Sequence, residues 1–303
     1  MPTGAAAFLD IVVPARNEVE RLPRTLTPLR TELAKLDVPC VVTVVDNASE
    51  DGTAELVLAQ PAGPVPVRLV RCATLGKGNA VRAGVRASTA KYVGFCDADL
   101  ATALDGLPRI LELLDGGTHI VIGSRALTES VVSVRHSAAR QWGAAFFRWS
   151  VRRVISSVAD TQCGFKFFEG HLARTLFEQV SCGGFAFDVE VLARAERGGF
   201  RIVETPVHWV DVAGSSFSPL RDGLRSFLDV AAIDRRLRRE ARLAVRATVP
   251  TAVAPTSPAV VPIPPTPAAG PQRHRGPAFA IEPTLTELAP PRALPAFGTG
   301  EGG

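Results

Sequence analysis

Short runs of β-branched residues alternate with helix-like stretches through the first half of the chain, and this alternation limits the fold more than any other feature. Such units join parallel strands through crossover helices and cover the sheet with helices on both faces. The sequence therefore predicts an α/β fold with a mainly parallel central sheet. The predicted strands are Phe8–Val13, Val41–Asp46, Val67–Arg71, Tyr92–Cys96 and His119–Ile122.

Helix-like segments separate these strands, and the first contains Pro23 and Pro28. Proline removes a backbone donor, so this helix is expected to begin late or to bend. The predicted helices are Glu18–Leu36, Asp51–Ala59, Gly78–Ala87 and Leu104–Leu114.

The pattern changes beyond Gly123, where we expect the chain to close over the carboxyl edge of the sheet. It continues with a long segment at Arg135–Val158, a Gly- and Phe-rich stretch, a helix near Asp188–Arg197 and a strand at Arg201–Val207.

The C-terminal part divides into a helix and a tail. Apolar residues recur at helical spacing from Leu220 to Leu243, beside many arginines. Such a helix either docks on the domain with a solvated basic face, which is the commoner case, or lies on an anionic membrane. The remainder holds roughly half of the 24 prolines with little charge, which predicts disorder. The predicted parts are a domain at 1–218, a helix at 219–243 and a tail at 244–303.

Composition narrows the class of protein. A hydrophobic content of 46% with 21% charged residues suits a globular enzyme, and a net charge of +4 favours anionic partners without choosing among them. The five cysteines lack CxxC spacing, so neither a zinc site nor a disulfide framework is expected, and a reducing cytoplasm is the simplest location. Neither a signal peptide nor an apolar run of about 18 residues is evident, so membrane contact should be peripheral.

Three motifs close predicted strands, at the edge where ligands of open α/β sheets bind. They are "IVVPARNE", "VVTVVDNASEDGT" with Asp46, and "FCDADLAT" with Asp97 and Asp99. Helix capping is the favoured explanation for Asp46 or Asp51 alone. For the Asp97 and Asp99 pair, capping uses one carboxylate and leaves the other unexplained. Two such carboxylates can share Mg²⁺ or Mn²⁺, which a diphosphate would help to coordinate.

The stretch "ATLGKGNAVRAG" supplies the complementary positive charge. Gly76 and Gly78 allow close backbone approach, Lys77 is a point cation, and a helix N-terminus follows that favours an anion. The stretch lacks the GxxxxGK[ST] spacing of a P-loop, and no GxGxxG follows the first strand. ATPase and NAD-dependent dehydrogenase activities are therefore disfavoured.

These motifs, together with "GSRA", "DTQCGFKFF" and "FAFDVE", resemble the inverting family 2 glycosyltransferases of the GT-A fold. The likeness is greatest to the branch that contains dolichyl-phosphate β-glucosyltransferases and polyprenyl-phosphate glycosyltransferases, and it spans about Leu9 to Ser218. The resemblance implies a GT-A type sheet and a nucleotide-sugar donor such as a UDP-hexose. Its implied nucleotide-sugar pocket consists of Pro14, Ala15, Glu18, Asp46, Lys77 and Asp97.

The resemblance also implies a divalent metal bound directly by Asp99, with Asp97 beside the metal and the ribose. Arg125, Arg135, Arg140 and Lys166 are the implied phosphate-binding residues, with surface solvation an equal alternative for Arg135 and Arg140. Asp188 and Glu190 sit where relatives place carboxylates near the sugar or acceptor, and Glu190 could equally be a solvated helix residue. This chain has Ala101 where many relatives carry a further ligand glutamine, and Ser216 where relatives carry a lysine.

The resulting hypothesis is inverting, metal-dependent transfer of a hexose, glucose from UDP-glucose, to a polyprenyl phosphate, with Asp99, Asp188 and Arg125 as catalytic residues. An anionic acceptor needs no strong base, whereas a soluble hydroxyl acceptor would need one, and Asp188 is the candidate. The alternatives are transfer to such a small metabolite and a catalytically silent sugar-nucleotide-binding protein. Nucleic-acid binding is not expected, because the arginines of the C-terminal helix lack interleaved aromatic residues.

Overall fold

The computed structural model describes residues 7–133, 147, 149–210 and 221–248. Its strands are β1 (Leu9–Ala15), β2 (Cys40–Asp46), β3 (Val67–Arg71), β4 (Tyr92–Cys96), β5 (Ile120–Ser124), β6 (Val131–Ser133), β7 (Phe165–Glu169), β8 (Ile202–Pro206) and β9 (His208–Val210). Its helices are α1 (Leu22–Ala34), α2 (Thr53–Leu58), α3 (Lys77–Ala87), α4 (Leu107–Asp115), α5 (Gly170–Gln179), α6 (Phe187–Arg197) and α7 (Arg221–Thr248).

A seven-stranded sheet in the order β3-β2-β1-β4-β7-β5-β8 forms the centre of the described chain. Neighbouring strands run parallel except where β7 lies antiparallel between β4 and β5. A second, small sheet pairs β6 with β9. The predicted α/β fold with a mainly parallel sheet is confirmed. The carboxyl ends of β2, β1 and β4 therefore lie side by side.

Two hydrophobic clusters cover the two faces of the sheet. Successive strand residues point to opposite faces, so Ile11 and Val13 join one cluster while Val12 joins the other. The cluster around Val12 includes side chains of α3, α5, α6 and α7, and the other includes side chains of α1 and α4. Helices thus bury both faces, as a mainly parallel sheet requires.

Proline explains where two helices begin. The first helix was predicted from Glu18 but starts at Leu22, and the fourth was predicted from Leu104 but starts at Leu107. Each has a proline in its first turn, where the missing N–H costs no intrahelical hydrogen bond. Pro28 lies inside α1. Residues 18–21 are thereby left for the loop after β1.

The sequence did not predict strand β7, which lies in the Gly- and Phe-rich stretch. Phe165 and Phe167 pack in one hydrophobic cluster and Phe168 in the other, so the strand is buried on both faces. A strand of this kind lacks the alternation of polar and apolar residues that marks a half-exposed strand. The predicted segment Arg135–Val158 lies mostly outside the described residues, although Val151, Ile155 and Val158 are buried.

Helix α7 packs against the domain through one face. Ser226, Val230, Ile233 and Leu237 are buried at helical spacing, and Arg236 Nη1 lies 3.0 Å from Glu190 Oε1. The helix continues to Thr248, five residues beyond the predicted end at Leu243. Residues 249–303 of the predicted tail lie outside the described residues. None of the described helices combines the length and the apolar character that a bilayer span requires.

Candidate active site

The loops that follow β1, β2 and β4 meet at one edge of the sheet, and each holds a residue with unusual backbone geometry. Asn17, Ala48 and Leu100 have φ values of 55°, 55° and 46°. The left-handed region is costly for residues other than glycine, by about 1–3 kcal/mol each, and such residues cluster at ligand sites. This edge is where the sequence predicted the site.

Hydrogen bonds join the loop after β1 to the loop after β2. Asn17 Oδ1 accepts a bond from the Glu50 amide at 2.9 Å, and Ser49 Oγ accepts one from the Asn17 amide at 3.0 Å. Asp51 Oδ2 accepts from the Val19 amide at 3.1 Å, while Oδ1 accepts from the amide of Thr53, the first residue of α2, at 3.1 Å. The predicted pocket residues Pro14, Ala15 and Glu18 lie on this braced loop or at its start.

Asp46 and its neighbour Asn47 organise the next loop. Asp46 is buried and accepts a bond from the Ser49 amide at 3.1 Å, which closes the turn after β2. Asn47 was not predicted as a site residue. Its amide donates to the Cys72 and Thr74 carbonyls at 3.0 and 2.8 Å, and its oxygen accepts from the Gly76 amide at 2.8 Å. It therefore holds the segment that leads to Lys77.

The Gly-Lys-Gly turn packs against a second glycine-rich segment. Gly76 has a φ of +126°, and a Cβ there would lie 2.2 Å from the Gly183 carbonyl oxygen. The Gly78 amide donates to the same carbonyl at 3.0 Å. The turn thus requires glycine both for its conformation and for its closeness to Gly183. It places Lys77 at the start of α3.

Lys77 and the two aspartates after β4 form the charged centre of the site. Lys77 Nζ lies 2.5 Å from Asp97 Oδ1, and their side chains are 20% and 35% exposed. Burial lowers the ammonium's pKa, but Asp97, Asp188 and Asp99 outweigh this effect, so the pKa of Lys77 is raised. The lysine is therefore a permanent cation at neutral pH.

The negative charge of Asp99 is less well compensated than that of Asp97, which pairs with Lys77. Its Oδ1 accepts a bond from the Ala101 amide at 3.1 Å, and the Thr25 hydroxyl donates to the adjacent Ala98 carbonyl. Burial and the charge of Asp97 raise the pKa of Asp99. Burial, with Asp99 and Asp51, likewise raises the pKa of Glu18 despite Arg21. Negative charge accumulates here, and a bound cation would relieve it.

Arg125 is held by the carboxylate of Asp160, whose backbone is in turn fixed by Glu204. Its Nε and Nη2 donate to Asp160 at 2.7 and 2.9 Å, and its guanidinium lies 5.4 Å from the centre of the Trp209 ring. Glu204 Oε1 accepts a bond from the Asp160 amide at 3.0 Å. Arg125 remains 30% exposed, and its Nη1 has no hydrogen bond to the part of the chain that the structure describes, so this nitrogen can bind an anion. The predicted Arg135 and Arg140 lie outside the described residues.

Lys166 and Asp188 are not where their predicted roles need them. Lys166 lies in the centre of β7 with its side chain fully buried, and its Nζ is 2.8 Å from Asp188 Oδ1. Asp188 Oδ1 has no hydrogen-bond partner among the described residues, so this short contact is an ion pair with poor hydrogen-bond direction. An acceptor phosphate could not reach Lys166 in this arrangement.

The pair of Arg125 and Asp160 predicts a loss of stability in acid. Burial would raise the pKa of Asp160, but Arg125 outweighs burial and lowers it to about 2. An unfolded aspartate titrates near pH 3.9, so the contribution is complete above about pH 4 and is lost as pH falls towards 2. We expect about 2 kcal/mol of this dependence to vanish in Asp160→Asn. Urea unfolding of both proteins between pH 6 and pH 2 measures it, and parallel curves would contradict it.

Comparison with known proteins places the chain in a family. The model described as "Glycosyl transferase family 2" matches residues 10–178, more than half of the chain. The chain belongs to glycosyltransferase family 2. The matched residues extend from β1 to α5 and include the aspartates after β4, Lys77 and the Arg125–Asp160 pair.

Two relatives of this family 2 glycosyltransferase are named dolichyl-phosphate beta-glucosyltransferase. The relative from Dictyostelium discoideum is 32% identical over 242 residues, which cover 75% of this chain and 73% of the relative. The relative from Drosophila melanogaster is 34% identical over 241 residues, which cover 73% of each chain.

A solved structure shares the fold. It is glucosyl-3-phosphoglycerate synthase from Mycobacterium tuberculosis in complex with Mn²⁺, UDP-glucose and phosphoglyceric acid. It is 18% identical to this chain, covers 75% of this chain and 78% of its own, and aligns with a TM-score of 0.53. The predicted GT-A type fold is confirmed.

Proposed function

We propose that this family 2 glycosyltransferase transfers glucose from UDP-glucose to the phosphate of a polyprenyl lipid, with inversion at the anomeric carbon. The relatives named above support the sugar and the acceptor class, because the similarity covers about three quarters of each chain. The geometry that carries the proposal is the Lys77–Asp97 ion pair beside Asp99, at the joined carboxyl ends of adjacent strands. Such an edge binds nucleotides in open α/β sheets.

A divalent metal fits the residues at this edge. The available donors are carboxylate oxygens, and the raised pKa of Asp99, caused by burial and Asp97, indicates that negative charge there lacks compensation. Among the described residues no group of three or more side chains could hold a metal alone. Mg²⁺ and Mn²⁺ accept one or two carboxylates with phosphate oxygens and water. Asp99 would hold the ion with Asp97 beside it, and the ion would neutralise charge on the departing diphosphate.

The remaining chemistry belongs to the chain's own side chains. Lys77 and the exposed edge of Arg125 are permanent cations that stabilise negative charge as the anomeric C–O bond breaks. The Gly76–Gly78 turn fixes Lys77, and Asp160 fixes Arg125, so little reorganisation accompanies the reaction. The acceptor oxygen attacks from the opposite face of the sugar, which inverts the configuration.

Transfer assays with the full chain test the proposal. The chain is incubated with UDP-glucose, Mn²⁺ or Mg²⁺, and a short-chain polyprenyl phosphate, and lipid-linked glucose is measured. We expect product with this acceptor and none with polyprenol, which lacks the phosphate. GDP-glucose in parallel tests the nucleotide. Transfer to small soluble alcohols alone, or binding of UDP-glucose without any transfer or hydrolysis, would reject the proposed activity.

We further propose that α7 brings the enzyme to the cytoplasmic face of an anionic membrane, where such an acceptor resides. Helix α7 carries exposed Arg235, Arg239 and Arg242, with exposed Leu228 and Leu243 on the same helix. A basic residue near an anionic surface contributes about 1 kcal/mol to binding. This charge supports a peripheral contact.

Replacing Arg235, Arg239 and Arg242 together by glutamine should weaken binding to vesicles that contain phosphatidylserine by about 100-fold. Vesicle flotation at about 0.1 M salt, where the Debye length is about 10 Å, measures the change. Arg109→Gln is the matched control, because Arg109 is exposed on α4 and pairs with Glu112. Equal flotation of the triple variant and the control would contradict a membrane role for α7.

A further inference from the structure

A buried ion pair adjoins the candidate site and is not explained by the chemistry proposed above. Lys166 lies on β7 between Phe95 of β4 and Ile122 of β5. Its Nζ lies 2.8 Å from Asp188 Oδ1 and donates to the Cys163 carbonyl oxygen at 2.5 Å. The same nitrogen lies over the Phe95 ring, 5.4 Å from its centre. The ammonium is thus enclosed by the protein.

Asp188 is enclosed as well and connects this lysine to the site. It lies in the first turn of α6 with its side chain 3% exposed. Gly78, which follows Lys77, packs against Phe187, which precedes Asp188, since a Cβ at Gly78 would lie 2.7 Å from the Phe187 Cβ. At this short range the charge of Asp188 acts on Lys77, which in turn pairs with Asp97. Lys166, Asp188, Lys77 and Asp97 therefore form a series of alternating charges from the interior of the sheet to the exposed edge.

The four charged residues differ in their exposure to solvent. Asp97 and Lys77 are partly exposed, so water can solvate them, whereas Lys166 and Asp188 depend on each other. Burying two ions is costly, and an aliphatic pair of similar volume would pack the same space without that cost. The Lys166–Asp188 pair nevertheless has a function, because the fixed negative charge of Asp188 keeps the Lys77 ammonium oriented towards the site.

We propose that Asp188 acts as a fixed counter-ion, which Lys166 holds in place and which orients the Lys77 ammonium towards the site, and not as a proton acceptor. Lys166 is then a positioning residue. This inference rests on the proposed function, whose acceptor is already a phosphate monoester. An alcohol acceptor would need a base that its hydroxyl could reach, and Asp188 does not present its carboxylate at the surface.

The step balances without any proton transfer to the protein. An oxygen of the acceptor phosphate forms a bond to the anomeric carbon, and the bond from that carbon to the β-phosphate oxygen of UDP breaks. The bonding electron pair leaves with UDP. The acceptor phosphate loses one negative charge and the nucleotide gains one.

A rescue experiment distinguishes whether Asp188 acts as a counter-ion or as a base. Asp188→Asn and Lys166→Met should each lower kcat/KM for transfer to a short-chain polyprenyl phosphate by about 100-fold, because each leaves one buried charge without its partner. The double variant removes both charges, and we expect it to recover to within about 10-fold of the wild type. If Asp188 took a proton, the double variant would remain as inactive as Asp188→Asn.

Asp10→Asn is the matched control for general loss of stability. Asp10 is also a buried carboxylate, paired with Arg68 and bonded to Thr43, but it lies at the opposite end of β1. It should lower the thermal midpoint without changing kcat/KM.

A measurement on the wild-type enzyme keeps the inference testable if the variants fail to fold. The acid limb of kcat/KM against pH should follow the second ionisation of the acceptor phosphate, near pH 6. A polyprenyl phosphonate of the same chain length ionises at higher pH, so with this acceptor the acid limb should shift to higher pH. An unmoved limb would overturn the inference while leaving the proposed function intact. Absence of any transfer to either lipid would instead reject the proposed function.

Discussion

Asp99→Asn should lower kcat for glucose transfer by about 1000-fold, because it removes the carboxylate best placed to hold the metal that stabilises the departing diphosphate. The asparagine keeps the size of the side chain and can still accept the bond from the Ala101 amide at 3.1 Å. Stability should therefore change little. Steady-state kinetics with saturating UDP-glucose and polyprenyl phosphate measure the loss.

Chelation supplies the second half of this test. The wild type should lose transfer with excess chelator and recover with added Mn²⁺ or Mg²⁺, whereas Asp99→Asn should show no recovery. Asp115→Asn is the matched control, since Asp115 is an exposed carboxylate paired with Lys91 at the end of α4. Full activity of the wild type after exhaustive chelation would remove the metal from the proposed mechanism.

The parallel part of the fold could be predicted because its signals are local. Each predicted strand that leads to the site is a short, mostly apolar run followed by a polar loop, and β2 and β4 end where the sequence placed them. Adjacent parallel strands then bring Asp46, Asp97 and the loop after β1 to one edge without further information. The sequence could not place β7, because its partner strands β4 and β5 are distant in the chain and its hydrophobic run has no period.

The contacts that hold the site were harder to predict than its charges. Asn47 acts through its side-chain amide on backbone groups near Lys77, and nothing in the residue type distinguishes this role from a turn. Glu190 is neither near the surface nor solvated. Its carboxylate accepts bonds from the Ser181 and Cys182 amides at 3.1 and 2.8 Å and pairs with Arg194. It thereby anchors the segment that carries Gly183, and such supporting contacts depend on tertiary structure.

The position of Lys166 also could not be predicted from the sequence. A lysine in a family motif is a reasonable phosphate ligand on chemistry alone. Only the placement of β7 in the middle of the sheet shows that its ammonium faces Asp188 and the Phe95 ring. The burial of a strand decides which residues meet the ligand.

Gly164→Ala should lower kcat/KM for UDP-glucose by about 100-fold through a displacement of Asp97. Gly164 lies just before β7, and a Cβ there would be 2.2 Å from Asp97 Oδ2 and 2.5 Å from its carboxyl carbon. No real contact is that short, so the carboxylate must move away. Moving it breaks the 2.5 Å contact with Lys77, which then loses its fixed orientation.

The global stability of Gly164→Ala should stay near that of the wild type, because Asp97 is 35% exposed and its carboxylate can swing into solvent. Gly106→Ala is the matched control. Gly106 has an ordinary φ of −74° at the start of α4, and a Cβ added there would meet no atom within 4 Å, so neither stability nor kinetics should change. Kinetics and thermal midpoints of both variants distinguish the outcomes. Wild-type kinetics in Gly164→Ala would mean that the Lys77–Asp97 pair can re-form after displacement, and the exact position of Asp97 would then carry no part of the catalysis.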